Sequence, residues 1–381
     1  MTVTAAGSPA LGGTGQAVLL EVLRHGPLSR SELALRLGMS PASLTRLTAP
    51  LVEDGLLRES EARRPSRSGR PSRPVEVVPE ARHFVGLKLT DARVFAVLTD
   101  LAAEVVATAD APLSGPEPAS VVETVAGLVT DLGGNVPSVT RVGVSLGGDT
   151  RDHRVVGHAP FLGWDDVPLA ELIEAASGVH TVVDNDLAAL TKAEHWFGAA
   201  RGHDRFAVIT LGAGTGYGLV MHDQVVQSSD SGVGLLGHFP VDPQGPRCSE
   251  GHRGCASTML TIAAITSAVS LGLGRQVGYD ECLALAAGGD PVAGPVVRDA
   301  ATALGRLVAA VCNIAMVHRI VVTGEGVGLA RVAREHVDAA IAGDRDPRAS
   351  PVELEVQPHD FLLWARGAAV AAMQSWVTGT P

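Results

Sequence analysis

The chain has 381 residues, enough for two or three domains, with 46% hydrophobic residues but only 3% aromatic ones, so its cores must be built from Ala, Val and Leu. No apolar run is long enough to span a bilayer, and the first residues, MTVTAAGSPALGG, lack a basic stretch followed by an apolar one, which points to a cytoplasmic protein without membrane partners. The net charge of −11 is uneven: residues 1–82 hold eleven arginines against eight acidic residues, whereas the remainder is strongly acidic, so contact with nucleic acid is expected at one end only.

The N-terminal region reads as helices. Residues 16–25 have helical spacing and stop at Gly26-Pro27. Ser29 then opens a second helix, with Glu32 three residues on as a capping box. Gly38-Met39 turns the chain. Ser40 caps a third helix, with Pro41 at its first position, where a missing N–H costs nothing. Leu33, Leu37, Leu44, Leu47 and Leu51 can share one small core. This is a helix-turn-helix pattern, whose third helix would enter a major groove through Ser40, Ala42, Ser43, Thr45 and Arg46. LLRES and PVEVV read as two short strands. The loop between them places Arg63, Arg64, Arg67, Arg70 and Arg73 among Pro, Ser and Gly. Such a wing can reach phosphates or a narrow minor groove; its plainer reading is a solvated basic linker.

From Phe84 the pattern changes to short Val/Leu-rich strands (VGLKL, VFAVLTD, VVATAD), a helix near 119–132, and the strand of VTRVGVSLGG. The cycle restarts at RFAVITLGAG and runs to HRIVVTGEG, so an α/β fold with two lobes around a cleft is expected. Gly237 to Cys255, GHFPVDPQGPRCSEGHRGC, gathers His238, Cys248 and Cys255 in a Gly/Pro-rich loop. Soft thiolate and imidazole donors in such a loop, with Glu250 and His252 between them, suit a tetrahedral Zn²⁺. A metal-free loop with two thiols is the competing reading. Cys282 and Cys312 read as core residues. The tail from Asp360 to Val377 reads as a closing helix on the first lobe.

Seven segments in order resemble the ROK family (repressors, open reading frames and sugar kinases), of the hexokinase/actin-like ATPase superfamily. They are VGVSLGG at 142–148, APFLGWDDVPL at 159–169, VVDNDLAAL at 182–190, HWFGAARG at 195–202, LGAGTGYG at 211–218, the loop ending at Cys255, and VVTGEGV at 321–327. The resemblance covers essentially the whole chain and implies an N-terminal winged helix-turn-helix followed by a two-lobed ROK domain. The implied borders are 1–82 for the winged helix, 83–199 with 360–381 for the first lobe, and 200–359 for the second, which would carry the zinc-type loop and a dimer interface.

The departures from the family bear on function. Where family kinases carry Asp-x-Gly-Gly-Thr-Lys for ATP and Mg²⁺, this chain has Lys88 in place of the Asp, and Thr90 and Asp91 in place of the glycines. Side chains then fill space that phosphate needs, and a carboxylate repels it, so neither ATP nor Mg²⁺ is expected. The Gly212–Gly216 loop survives, either for phosphate or merely as a tight turn. Asp186 matches the family's catalytic base, here a vestigial position. With Asn185 and His238 it is a candidate ligand contact, against a plain turn after a strand. Three sugar-contacting positions have become Leu235, Ser257 and Phe161. The middle cysteine of the family's metal cassette is Glu250 here, so the resemblance implies a structural zinc held by His238, Cys248, Cys255 and Glu250, with His252 as the alternative fourth ligand or a three-ligand site completed by water.

The resemblance therefore implies a transcriptional regulator, a repressor that binds double-stranded operator DNA as a homodimer or higher oligomer. Its degenerate kinase-like module would bind a sugar or sugar-derived effector, or serve only as a dimerisation scaffold. The alternative is a sugar kinase with an appended DNA-binding domain.

Overall fold

The computed structural model describes residues 13–60 and 73–380. They fall into two compact units, one running to Gly202 and resuming at Phe361, the other His203–Asp360.

The first unit begins with α1 (Gly13–His25), α2 (Arg30–Leu37) and α3 (Pro41–Glu53). Ser29 and Glu32 form the expected capping box, and Ser40 accepts from the Ser43 N–H at the start of α3. Gly38 ends α2 at φ 63°, a left-handed turn that a side chain would oppose. Leu33, Leu44 and Leu51 are fully buried, and Leu37 and Leu47 pack against the same core. Two short antiparallel strands follow, β1 (Leu57–Glu59) and β2 (Val75–Val77), with Leu28 bridged to Val75 at their root. This is a winged helix.

The chain then forms β3 (Phe84–Leu89), β4 (Arg93–Thr99), β5 (Val105–Pro112), α4 (Pro118–Gly133) and β6 (Arg141–Leu146). A small antiparallel sheet, β7 (Asp149–Arg151), β8 (Val155–Ala159) and β9 (Trp164–Val167), leads to α5 (Leu169–Ser177), β10 (Thr181–Asn185) and α6 (Asp186–Phe197). The main sheet has the order β5-β4-β3-β6-β10, parallel from β3 to β10 and antiparallel from β3 to β5.

The second unit repeats that plan. Its strands are β11 (Arg205–Leu211), β12 (Thr215–Met221) and β13 (Gln224–Val225). Helices α7 (Ala256–Leu260), α8 (Ile262–Leu273), α9 (Tyr279–Ala287) and α10 (Ala293–Ala315) come next. They are followed by β14 (Arg319–Thr323), α11 (Gly328–Val332), α12 (Arg334–Asp344) and β15 (Glu353–Val356). The sheet order is β13-β12-β11-β14-β15, again antiparallel on one side of the first strand and parallel on the other. Cys282 and Cys312 lie in this unit's core, as expected.

The last helix, α13 (Phe361–Thr378), returns to the first unit. It lies so close to β3 and β6 that a Cβ on Gly86 or Gly143 would collide with the carbonyl oxygens of Ala365 and Ala368. The sheet is therefore buried on both faces. Val85, Leu87 and Leu89 face the α4 side, while Phe84 shares a core with α13, Ala193 and Trp196 of α6, and Val18, Leu19, Val22 and Leu23 of α1. The winged helix is thus continuous with the packing of the lobe behind it.

Candidate functional site

Three groups of side chains carry the chemistry. The first lies on α3. Ala42, Thr45 and Arg46 are exposed there. The serines are partly committed: Ser40 caps the helix, and its Oγ lies 2.9 Å from Ser43 Oγ. Thr45 Oγ1 donates to the Pro41 carbonyl. Arg46 is thus the long polar side chain among the expected base-reading positions. Arg73, exposed at the wing's root, lies 3.7 Å from Glu59, which also accepts from Arg30 at 2.9 Å. Arg63, Arg64, Arg67 and Arg70 lie outside the described residues.

The second group is in the first lobe. Asn185 caps α6: its Oδ1 accepts from the N–H groups of Leu187 and Ala188, and its Nδ2 donates to the Gly148 carbonyl at 2.8 Å. Its carboxamide is committed to the fold. Asp186 follows in the first turn, where the helix dipole favours a carboxylate. Its Oδ1 accepts from the Leu187 N–H, and its Oδ2 pairs with the Lys88 ammonium. Lys88 is buried, 5.3 Å above the Trp364 ring, with its side chain 8% exposed against 19% for Asp186. Strand alternation explains this: Lys88 points to the same face as Phe84 and Gly86, toward α6 and α13. A buried cation in that position requires an anion, and Asp186 supplies it. Phe161, 62% exposed, stands beside them, and a Cβ on Gly147 would meet its ring at 3.4 Å and Asp186 Oδ2 at 3.7 Å. Thr90 closes the β3–β4 turn, accepting from Arg93 N–H and donating to Arg93 carbonyl, while Asp91 is exposed.

The third group is in the second unit. The Gly212–Gly216 loop holds itself together by Gly212 N–H donating to the Gly214 carbonyl, and its Gly212 carbonyl accepts from Ile262 N–H. Glu325 presses against it: a Cβ on Gly212 would lie 2.9 Å from Glu325 Oε2. Sequence reasoning missed this carboxylate, because VVTGEGV was read only as a family segment.

The Gly/Pro-rich loop forms a small hairpin with bridges Pro240–Cys255 and Arg247–Arg253. Cys248 N–H donates to the His252 carbonyl, so these two residues face each other across the hairpin. One donor atom each of His238, Cys248, His252 and Cys255 lies within 4.8 Å of all the others. Glu250, the expected fourth donor, is not in this cluster. It sits at the hairpin's exposed tip, its carboxylate accepting from Ser249, so the structure brings in the alternative, His252. Burial pushes the Cys248 thiol up, but hydrogen bonds from His238 and from the backbone around Glu250 and His252 outweigh it and hold it below its ordinary value. Burial and then the neighbouring Cys248 push Cys255 up. Two imidazoles and two sulfurs at this spacing suit tetrahedral zinc, as the thiolate is the metal-binding form. Leu235, before this loop, is 66% exposed.

The sequence model of the ROK family matches residues 85–350. The chain belongs to the ROK family. The MarR family model matches residues 16–68, the winged-helix segment. The DNA-binding transcriptional repressor Mlc of Escherichia coli K12 is 26% identical over 307 residues, spanning 76% of this chain and 75% of Mlc. A glucokinase of Thermotoga maritima is 39% identical over 123 residues, but these span only 32% of this chain and 38% of the enzyme. In fold, a crystal structure of a ROK family transcriptional regulator, a homolog of the E. coli Mlc protein, superposes with a TM-score of 0.81 at 24% identity, covering 97% of this chain and 98% of that one. Among the described residues no helix is long and apolar enough to cross a membrane.

Proposed function

We propose that this protein is a DNA-binding transcriptional regulator that acts as a repressor, and that its kinase-like module senses an effector or holds the dimer together without phosphorylating sugar. The observation that carries this reading is the Lys88–Asp186 pair behind a fully capped helix-turn-helix. A general base must take a proton from the substrate hydroxyl, and a carboxylate tied to a buried ammonium is a poor acceptor. Glu325 against Gly212 adds a second charge that opposes phosphate. The relative Mlc, a repressor by name that matches over 76% of this chain, supports the same reading.

The reading assigns operator contact to Ala42, Ser43, Thr45 and Arg46 in the major groove. Ser40 sets the helix start, and Arg63, Arg64, Arg67, Arg70 and Arg73 reach the backbone or minor groove. Helix-turn-helix proteins read two-fold sites, so the active form is a homodimer acting in the cytoplasm. The winged helix spans 1–82, the first lobe 83–199 with 360–381, and the second lobe 200–359. The effector is a sugar or sugar derivative touching Asp186, and less hydroxyl-rich than a free hexose, because Phe161 in the same lobe offers it no hydrogen-bond partner. Zinc held by His238, Cys248, His252 and Cys255 braces the loop.

The test is duplex selection from random sequence, followed by gel shift at moderate salt. Selective, two-fold-symmetric sites are expected; binding without sequence preference defeats the proposal. The retained Gly212–Gly216 loop and the partial glucokinase match favour a second reading, a sugar kinase with an appended DNA-binding domain. ADP formation with a hexose or amino sugar, abolished by Asp186→Asn, would establish it.

A further inference from the structure

One helix joins the Asp186 carboxylate to the DNA-reading module. α6 begins at Asp186, and nine residues on, about 13 Å along its axis, His195 Nε2 lies 3.1 Å from the Arg24 guanidinium at the end of α1. Between them Lys192 pairs at 2.5 Å with the buried Asp184 and fixes the helix to β10. Just beyond α6, Arg201 turns back: its Nε donates to the Arg24 carbonyl at 2.8 Å and its Nη2 to the Leu23 carbonyl at 2.9 Å. These are carbonyls of the last turn of α1, which has no onward helical partner for them. Each side therefore lends the other an arginine, and one apolar core, with Ala193 and Trp196 from α6 and Val22 and Leu23 from α1, closes around the exchange. α1 in turn packs on α3.

We propose that α6 transmits the state of the Lys88–Asp186 site to the recognition helix, with Arg201 and the Arg24–His195 pair as positioning residues for α1. A displacement of Asp186 by a bound ligand shifts a helix pinned along its length, and the shift reaches α1 through two directional contacts and a packed core. Packed interfaces of this kind switch between discrete arrangements and do not deform smoothly. Arg201 suits the role because its planar fork matches two carbonyls at once, which a lysine cannot do.

This inference rests on the regulator reading, and the test separates the two. The chain's affinity for its selected duplex is measured by fluorescence anisotropy in a double-mutant cycle, with Lys88→Met as the perturbation at the pocket. Lys88→Met is expected to change operator affinity by about fivefold or more. In an Arg201→Met background the same change should fall below about twofold, while Arg201→Lys restores only part of it. Binding of both Arg201 variants to non-selected DNA at low salt should match wild type, which reports a folded winged helix. Should Arg201→Met fail to fold, His195→Gln takes its place in the cycle. An equal Lys88 effect in both backgrounds overturns the proposal, as does a Lys88 variant with unchanged operator affinity. A wild-type chain that selects no duplex overturns the regulator reading itself.

Discussion

Lys88 shows what a single position can decide. A lysine with 8% side-chain exposure is stable only with a partner, and Asp186, 98 residues away, is that partner. Lys88→Met leaves the partly exposed Asp186 carboxylate without its counter-charge, so it should lower unfolding free energy by about 1–3 kcal/mol, read by urea denaturation. Lys88→Met with Asp186→Asn should recover most of that loss, because the second change removes the orphaned charge. The substitution itself was legible in the sequence through the family pattern, but its partner was not, since no local rule links two residues so far apart. The loop ending at Cys255 divides in the same way. His238, Cys248 and Cys255 stood out by type and crowding, whereas the choice between Glu250 and His252 depended on which faces Cys248 across the hairpin. Purified protein should hold one zinc per chain by mass spectrometry of metals. Cys248→Ser or His252→Ala should lose it and Glu250→Gln should keep it; loss in Glu250→Gln would reinstate the tip carboxylate as ligand.

At the scale of elements, the winged helix was readable because its signals are local. Ser29 with Glu32, Ser40 with Pro41, and the glycine at 38 act within one turn, and the structure uses each of them. Asn185 was open to the same rule, as an Asn before Asp-Leu-Ala-Ala-Leu is an N-cap signal. The close packing of α13 on β3 and β6 was not readable, because nothing in VGLKL or VGVSL says which helix lies over the glycine. Gly143→Ala should therefore cost about 1–3 kcal/mol and lower the melting temperature, whereas a glycine facing open space, such as Gly127, should tolerate alanine. The α5–β10 junction makes a pH prediction. Burial pushes the Glu174 carboxyl up, but hydrogen bonds from Arg154, the Thr181 N–H and His180, with the Arg154 charge, overcome it and hold the pKa at about 2, down from 4.5. A pKa lower in the folded chain means the contribution is complete above pH 4.5 and fades as pH falls toward 2. Glu174→Gln should lower the melting temperature at neutral pH and flatten its decline across that interval; a decline as steep as wild type would show that Glu174 does not drive it.

At the scale of the molecule, the two-fold plan was legible because the strand–helix cycle restarts at Arg205, and both sheets then show the same order. The shared core of α1, α6 and α13 was hidden, since an apolar stripe on α1 looks the same whether it faces its own module or the next one. Charge, by contrast, could be read directly, and it gives the last prediction. The chain carries −11 overall, but eleven of its thirty basic residues lie in the first 82, all of them arginines. That basic end is the one expected to release counterions from a duplex. Each arginine–phosphate contact removed should lower the slope of log affinity against log salt by about 0.9 for B-form DNA. Arg63→Ala with Arg64→Ala should therefore flatten the slope by about 1.8 if both arginines reach phosphates, and weaken binding equally to selected and non-selected duplexes. Arg46→Ala should behave differently. A base-edge contact from α3 discriminates by about 1–3 kcal/mol, so its loss should reduce preference for the selected duplex with little change in slope. Anisotropy titrations across a salt series distinguish the two, and a flattened slope for Arg46→Ala with preference intact would move that residue from the bases to the backbone.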